Sequence, residues 1–101
     1  MKLPMYVSES DYKVFASILG DFGEHRGPVR LEDFLKAMKS VGFGRHGAYE
    51  LVPPPRIGRK LFNLAKGSGK PGKAISDHMQ DGWKIELHNL YGWTAETFYT
   101  Y

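Results

Sequence analysis

The pattern in this chain closest to a working site is Gly67-x-x-x-x-Gly72-Lys73, between a candidate strand and a candidate helix. A glycine loop in that position exposes backbone N–H groups that can cradle phosphate, and the lysine adds positive charge. Three features separate it from a nucleotide-hydrolysing loop. Ala74 stands where a Ser or Thr hydroxyl would bind magnesium, Pro71 removes a backbone donor, and no β-α-β succession surrounds the loop. A looser role survives, in which amides at the start of the following helix, with Lys70 and Lys73, hold one phosphate of a polymer. The plain alternative is a flexible Gly/Ser/Lys connection.

Histidine is the other residue type that could do chemistry, and there are four: His25, His46, His78 and His88. His78 and His88 point about 80° apart on an ideal helix. No acid stands at ligand spacing on the same face, so they read as helix surface and no metal is expected. His46 follows Arg45 where the first strand of a hairpin begins, and a histidine there could serve as general base or acid at a ribose hydroxyl. No Ser/His/Asp or paired-carboxylate arrangement can be drawn from the spacing, and no cofactor is expected.

The charge is unevenly spread. Residues 45–73 hold Arg45, Arg56, Arg59, Lys60, Lys66, Lys70 and Lys73 against Glu50 alone, a net +6, whereas the whole chain is only +3. Residues 1–27 set Lys2, Lys13 and Arg26 against Glu9, Asp11, Asp21 and Glu24, a net −1. Concentrated positive charge makes a local potential suited to phosphates. With no cysteine, disulfides and thiolate metal sites are excluded and a reducing compartment is the simpler expectation. No apolar run reaches membrane-spanning length and Met1–Tyr6 is too short for a signal core, so an intracellular location, cytoplasm or nucleus, is expected.

The elements that must position these residues follow from periodicity. At 101 residues, with 42% hydrophobic side chains, the chain has the size and apolar content of one domain with one core. Ser8 with Asp11 reads as a loose capping box, followed by Phe15, Ile18, Leu19 and Phe22 on one helical face, closed by Gly20 and Gly23. A second helix places Leu31, Phe34, Leu35, Met38 and Val41 in one stripe and stops at Gly42-Phe43. Strand candidates follow at 48–52, ended by Pro53-Pro54-Pro55, and at 59–64, with room for a third short strand. A third helix spans about 75–91 with Ile75, Met79, Trp83, Leu87 and Leu90 inward, and Gly82 implies close packing or a kink. Gly92-Trp93 stops it, and Thr94, Glu96 and Thr97 cap a turn that delivers Phe98 before a frayed Tyr99-Thr100-Tyr101 tail. The predicted fold class is α+β: a small antiparallel sheet of two or three strands covered on one face by helices, with an extra N-terminal helix.

Several of these pieces occur in the order found in the HicA-like (YcfA-like) toxin family, a dsRBD-like α-β-β-β-α domain. Arg30-Leu31 through Val41-Gly42-Phe43 resembles its first helix. Lys70-Pro71-Gly72-Lys73 resembles the Lys-Pro-Gly start of its last helix. Tyr91-Gly92-Trp93-Thr94-Ala95-Glu96-Thr97-Phe98 is similar to its Gly-hydrophobic-Ser/Thr-x-x-Glu-Phe finish. The resemblance covers residues 29–98 and leaves 1–28 as an extension whose helix could cover part of the sheet. The Gly-Pro-Val-Arg-Leu-Glu-Asp-Phe-Leu-Lys-Ala-Met-Lys stretch also looks like HicA-like domains of large fungal proteins of unassigned role.

Members of the toxin family cleave mRNA with a histidine on the first strand, inside a Gly-Ser-His-type segment. Here the segment reads Gly44-Arg45-His46-Gly47-Ala48-Tyr49, and aligning Leu51-Val52 with the family's strand end puts Ala48 or Tyr49 at the histidine's place. His46 then falls two or three positions early, so the family's catalytic histidine is missing from its expected position. The resemblance implies a degenerate domain that contacts RNA through the hairpin and loop cations. Two alternatives stand beside it. One is an active, metal-independent endoribonuclease using His46. The other is a protein-interaction module with an antitoxin-like or intramolecular partner, anchored by Trp93 and Tyr99. Tyr49 and Phe62 could stack bases or belong to the core.

Overall fold

In a computed structural model, the structure describes residues 5–20, 27–47, 49–64 and 74–101. Its elements, in chain order, are β1 (Met5–Val7), α1 (Glu9–Leu19), α2 (Leu31–Ser40), β2 (Gly44–His46), β3 (Glu50–Val52), β4 (Phe62–Asn63), α3 (Asp77–Tyr91) and β5 (Phe98–Thr100). The fold is α+β, with an antiparallel sheet in the order β2-β3-β4 and a separate parallel pair, β1-β5.

Each helix begins and ends where its capping chemistry dictates. Ser8 Oγ accepts the Asp11 backbone N–H, which starts α1, and Gly20 ends it. At the end of α2, Gly42 takes φ +101°, its N–H donates to the Lys39 carbonyl, and the Phe43 N–H donates to the Met38 carbonyl. This paired closure turns Phe43 back into the core, as the Gly-Phe dipeptide predicts. α3 starts two residues later than its apolar stripe suggests. Ser76 is its N-cap, while Ile75 is tied in extended form to the Val29 carbonyl at 2.6 Å. Gly82 lies inside an unbroken α3, exposed, with nothing near the position of a Cβ, so close packing is not its reason.

α1 packs against α2, α3 and β5. A buried polar knot fixes it there: the Ser17 hydroxyl bonds Gln80 Oε1 at 2.6 Å, and Gln80 Nε2 donates to the carbonyls of Gly27 and Ile75. A buried glutamine satisfied in this way ties three chain segments together. The N-terminal helix, expected to cover part of the sheet, packs on α2, α3 and β5.

The core is rich in aromatic rings. Phe15 stacks on Phe98 with centroids 3.9 Å apart, and Trp93 meets Phe15, Phe43, Tyr91 and Phe98. A second group joins Phe34, Phe62 and Trp83 beneath the three-stranded sheet. Trp93 is 2% exposed, so it cannot anchor a partner, and Phe62 is core with no face left for a base.

The chain's end departs from expectation. Hydrogen bonds among Thr94, Glu96 and Thr97 form the anticipated turn and Phe98 is delivered inward. Tyr99 and Thr100, expected to fray, continue as β5 and pair in parallel with Tyr6 and Val7. Alternation turns Val7 and Phe98 inward and leaves Tyr6 and Tyr99 outward, ring against ring at 6.0 Å.

Candidate nucleic-acid interface

Directly opposed residues in an antiparallel sheet share a face, and the register of β2-β3-β4 therefore sorts its side chains. Leu51 pairs with Arg45 on one side and Phe62 on the other, so this row lies on the face toward the helices, and Arg45 overhangs the core from the edge strand. His46 pairs with Glu50, and Glu50 with Asn63, which makes a polar row on the outer face. Arg45 and His46, neighbours in sequence and both exposed, thus belong to opposite faces.

Gly47, at φ +70°, turns β2 toward β3, a conformation few residues other than glycine adopt cheaply. Tyr49 sits in that connection, half exposed, with its carbonyl bonded to the Leu64 N–H. No hydrogen bond among the described residues orients the His46 ring. A general base on this strand would need a third group to hold the imidazole in one tautomer and position.

Arg56 lies on the connection between β3 and β4, and Arg59 and Lys60 lie there too, not on a strand over 59–64 as the sequence suggests; only Phe62 and Asn63 of that stretch pair. This connection is held from several sides. The Pro54 carbonyl accepts the N–H groups of Ile57 and Gly58. Gly58 lies so close to the Tyr91 ring that a Cβ would fall 3.2 Å from Cδ1. The Tyr91 hydroxyl, reaching up from the last turn of α3, donates to the Lys60 carbonyl at 2.7 Å. Arg59 and Lys60 are thereby displayed to solvent on a backbone fixed from beneath.

Arg56 has a second duty. Its Nη2 donates to the Val41 carbonyl at 2.9 Å, at the C-terminal end of α2, where a cation complements the helix dipole. Part of its donor fork therefore serves the fold. Lys66, Lys70 and Lys73, with the glycine loop that carries them, lie outside the described residues.

Two titrations mark the underside of this region. Burial pushes the Glu86 carboxyl above its ordinary range, partly opposed by a hydrogen bond from the Asn63 backbone. The Tyr91 phenol is pushed up to about 12, mainly by burial and also by the Glu86 charge. Neither group was singled out by sequence, and neither faces the basic rim as a reactive group. Their setting is that of a loop support.

No family model matches this chain, and neither a curated protein nor a solved structure is significantly similar to it. Among the described residues no helix is long and apolar enough to cross a membrane, and no three His, Asp or Glu side chains gather as metal ligands would.

Proposed function

We propose that this chain binds nucleic acid, duplex RNA by preference, through β2 and the β3–β4 connection together with the lysines of residues 65–73. The observation that carries this reading is the charge of residues 44–64. Arg45, Arg56, Arg59 and Lys60 stand there against one acid, Glu50, and Arg59 and Lys60 project from a loop locked by Tyr91. Cations on a fixed backbone suit phosphate contacts, which position a protein on a duplex and need no base-reading motif. The HicA-like resemblance of residues 29–98 points to the same class of ligand.

The test is a gel shift of a labelled RNA duplex of about 20 base pairs at several salt concentrations, a length that spans the footprint of known duplex-RNA modules. Binding that falls steeply with salt is expected, because neutralising phosphates releases counterions. Absence of a shift at low salt would overturn the proposal. Running the same RNA under denaturing conditions addresses cleavage: shortened RNA with the wild type and intact RNA with His46→Ala would make the chain a nuclease.

A second reading, a protein-interaction module, is favoured by one observation. Tyr6, Tyr99 and Tyr101 are 61%, 46% and 88% exposed along the β1-β5 pair, far more than core aromatics allow. Retention of a partner by wild type and its loss with Tyr6→Ser/Tyr99→Ser, without any RNA shift, would establish it in place of the first.

A further inference from the structure

Along α1, an open groove of about 870 Å³ is completed by residues 27–29 and by Asp33 and Lys36 of α2. Its breadth follows from small residues: Ala16 and Ser17 on α1 and Gly27 before α2 supply little bulk where the helices approach. Val14, Pro28 and Val29 give it apolar walls, and Asp11 and Asp33 place carboxylates along it.

Asp11 is the residue that the fold leaves unexplained. It is only 7% exposed, yet among the described residues no hydrogen bond or ion pair meets its carboxylate. The sole buried side-chain nitrogen or oxygen without both partner and solvent, among the described residues, is Trp83 Nε1. The Asp11 oxygens therefore keep what solvent they touch through the groove they line. In the first turn of α1 the carboxylate gains from the helix dipole, but it does not complete the reciprocal bond to the Ser8 N–H. Asp33, in the matching place on α2, does bond back to the Arg30 N–H at 3.4 Å.

Neither groove lysine supplies the missing charge. Lys13 is turned to Glu9 at 3.7 Å, and Lys36 forms no ion pair among the described residues. A carboxylate held mostly out of water without a partner is costly, and one cation would offset that cost. The donor set is too small to hold a metal, whereas the groove's volume and apolar walls match those of sites for organic molecules.

We infer that the α1–α2 groove binds an organic cation, an ammonium or guanidinium group on an apolar stem, with Asp11 as its counter-charge and Val14 and Val29 against the stem. Two sources share this chemistry: a free amine, and an arginine or lysine side chain of a peptide.

The experiment titrates agmatine, and separately a blocked tripeptide with one arginine, into the isotope-labelled full chain while amide chemical shifts are followed. Saturable shifts at Asp11, Val14, Ser17 and Val29 are expected with at least one probe and not with 1-pentanol, which has the stem without the charge. Response to agmatine alone assigns the free amine, and response to the tripeptide assigns a peptide side chain. Asp11→Asn keeps the shape and removes the charge, and should weaken binding at least about tenfold, the scale for removing one member of a close charge pair. Should that variant not fold, Ala16→Met fills the groove from α1 without touching the carboxylate, and should abolish the shifts. Absent shifts, shifts equal with pentanol, or undiminished affinity in a folded Asp11→Asn chain would overturn the inference.

Discussion

The basic rim and the α1 side of this molecule hold their charges in opposite ways. At the rim, Arg59 and Lys60 stand out in solvent on a connection whose backbone is clamped by Tyr91. Beside α1, Asp11 is withdrawn to 7% exposure and its charge opens only into a groove. A displayed charge acts on a large polyanion at long range and is screened by salt. A recessed charge acts on one small cation at short range and feels salt less. The two regions are therefore suited to different ligands and are built from different residues, so each should be open to damage without the other.

The largest separation is expected from Phe98→Ala. Phe98 stacks on Phe15, touches Trp93 and opens the β1-β5 pair, so its loss should cost about 3–5 kcal/mol of stability. Denaturant unfolding measures that loss. Below the variant's transition, RNA affinity should match wild type, because the rim is built on α2, α3 and the three-stranded sheet.

Gly42→Ala strikes the rim's foundation. Its positive φ and the 3.1 Å approach of a Cβ to Pro54 Cγ predict a loss of about 1–2 kcal/mol. Because Arg56 binds the adjacent Val41 carbonyl, RNA affinity should fall as well, which distinguishes this variant from Phe98→Ala.

Tyr91→Phe removes the bond to the Lys60 carbonyl and should cost about 1 kcal/mol at neutral pH. Its dependence on pH has a definite sign. The folded phenol is raised from 10.0 to about 12, so its contribution is complete below pH 10 and is lost as pH rises through 12. The gap between wild type and Tyr91→Phe should narrow over that window, as chemical unfolding at successive pH values would record.

The smallest effect is a gain. Gly82 is exposed in the middle of α3 with open space at its Cβ position, so Gly82→Ala should raise stability by up to about 1 kcal/mol. Neither RNA nor amine binding should change. A loss of stability would mean that Gly82 has a conformational role the surrounding space does not reveal.

Local chemistry made much of this legible beforehand. The stripe from Leu31 to Met38 and the Gly42-Phe43 stop define α2 almost to the residue, because capping and periodicity act within one turn. The β1-β5 pair was not legible. Three-residue strands carry little pattern, and their partners lie at opposite ends of the sequence, so only tertiary packing brings Tyr6 to Tyr99. Trp93 had the signature of a ring that folds back after a glycine, yet its depth depends on Phe15 and Phe98 arriving from other elements.

The candidate site divides in the same way. Which residues are basic is plain from the sequence, but their faces are not. Register sends Arg45 and His46 to opposite sides of the sheet, and the approach of the β3–β4 connection to α2 gives Arg56 its capping bond. Asp11 reads in the sequence as the acid of a loose capping box with Ser8, and nothing in that local pattern shows that it is only 7% exposed.

The most direct test of the rim is the salt dependence of RNA affinity for wild type and Arg59→Ser/Lys60→Ser, with Asp11→Asn in parallel. Two lost phosphate contacts should flatten the slope of log affinity against log salt by about 1.4–1.8. Asp11→Asn should leave slope and affinity unchanged. An unaltered slope in the double variant, with its fold intact, would contradict the placement of the phosphate contacts on this loop.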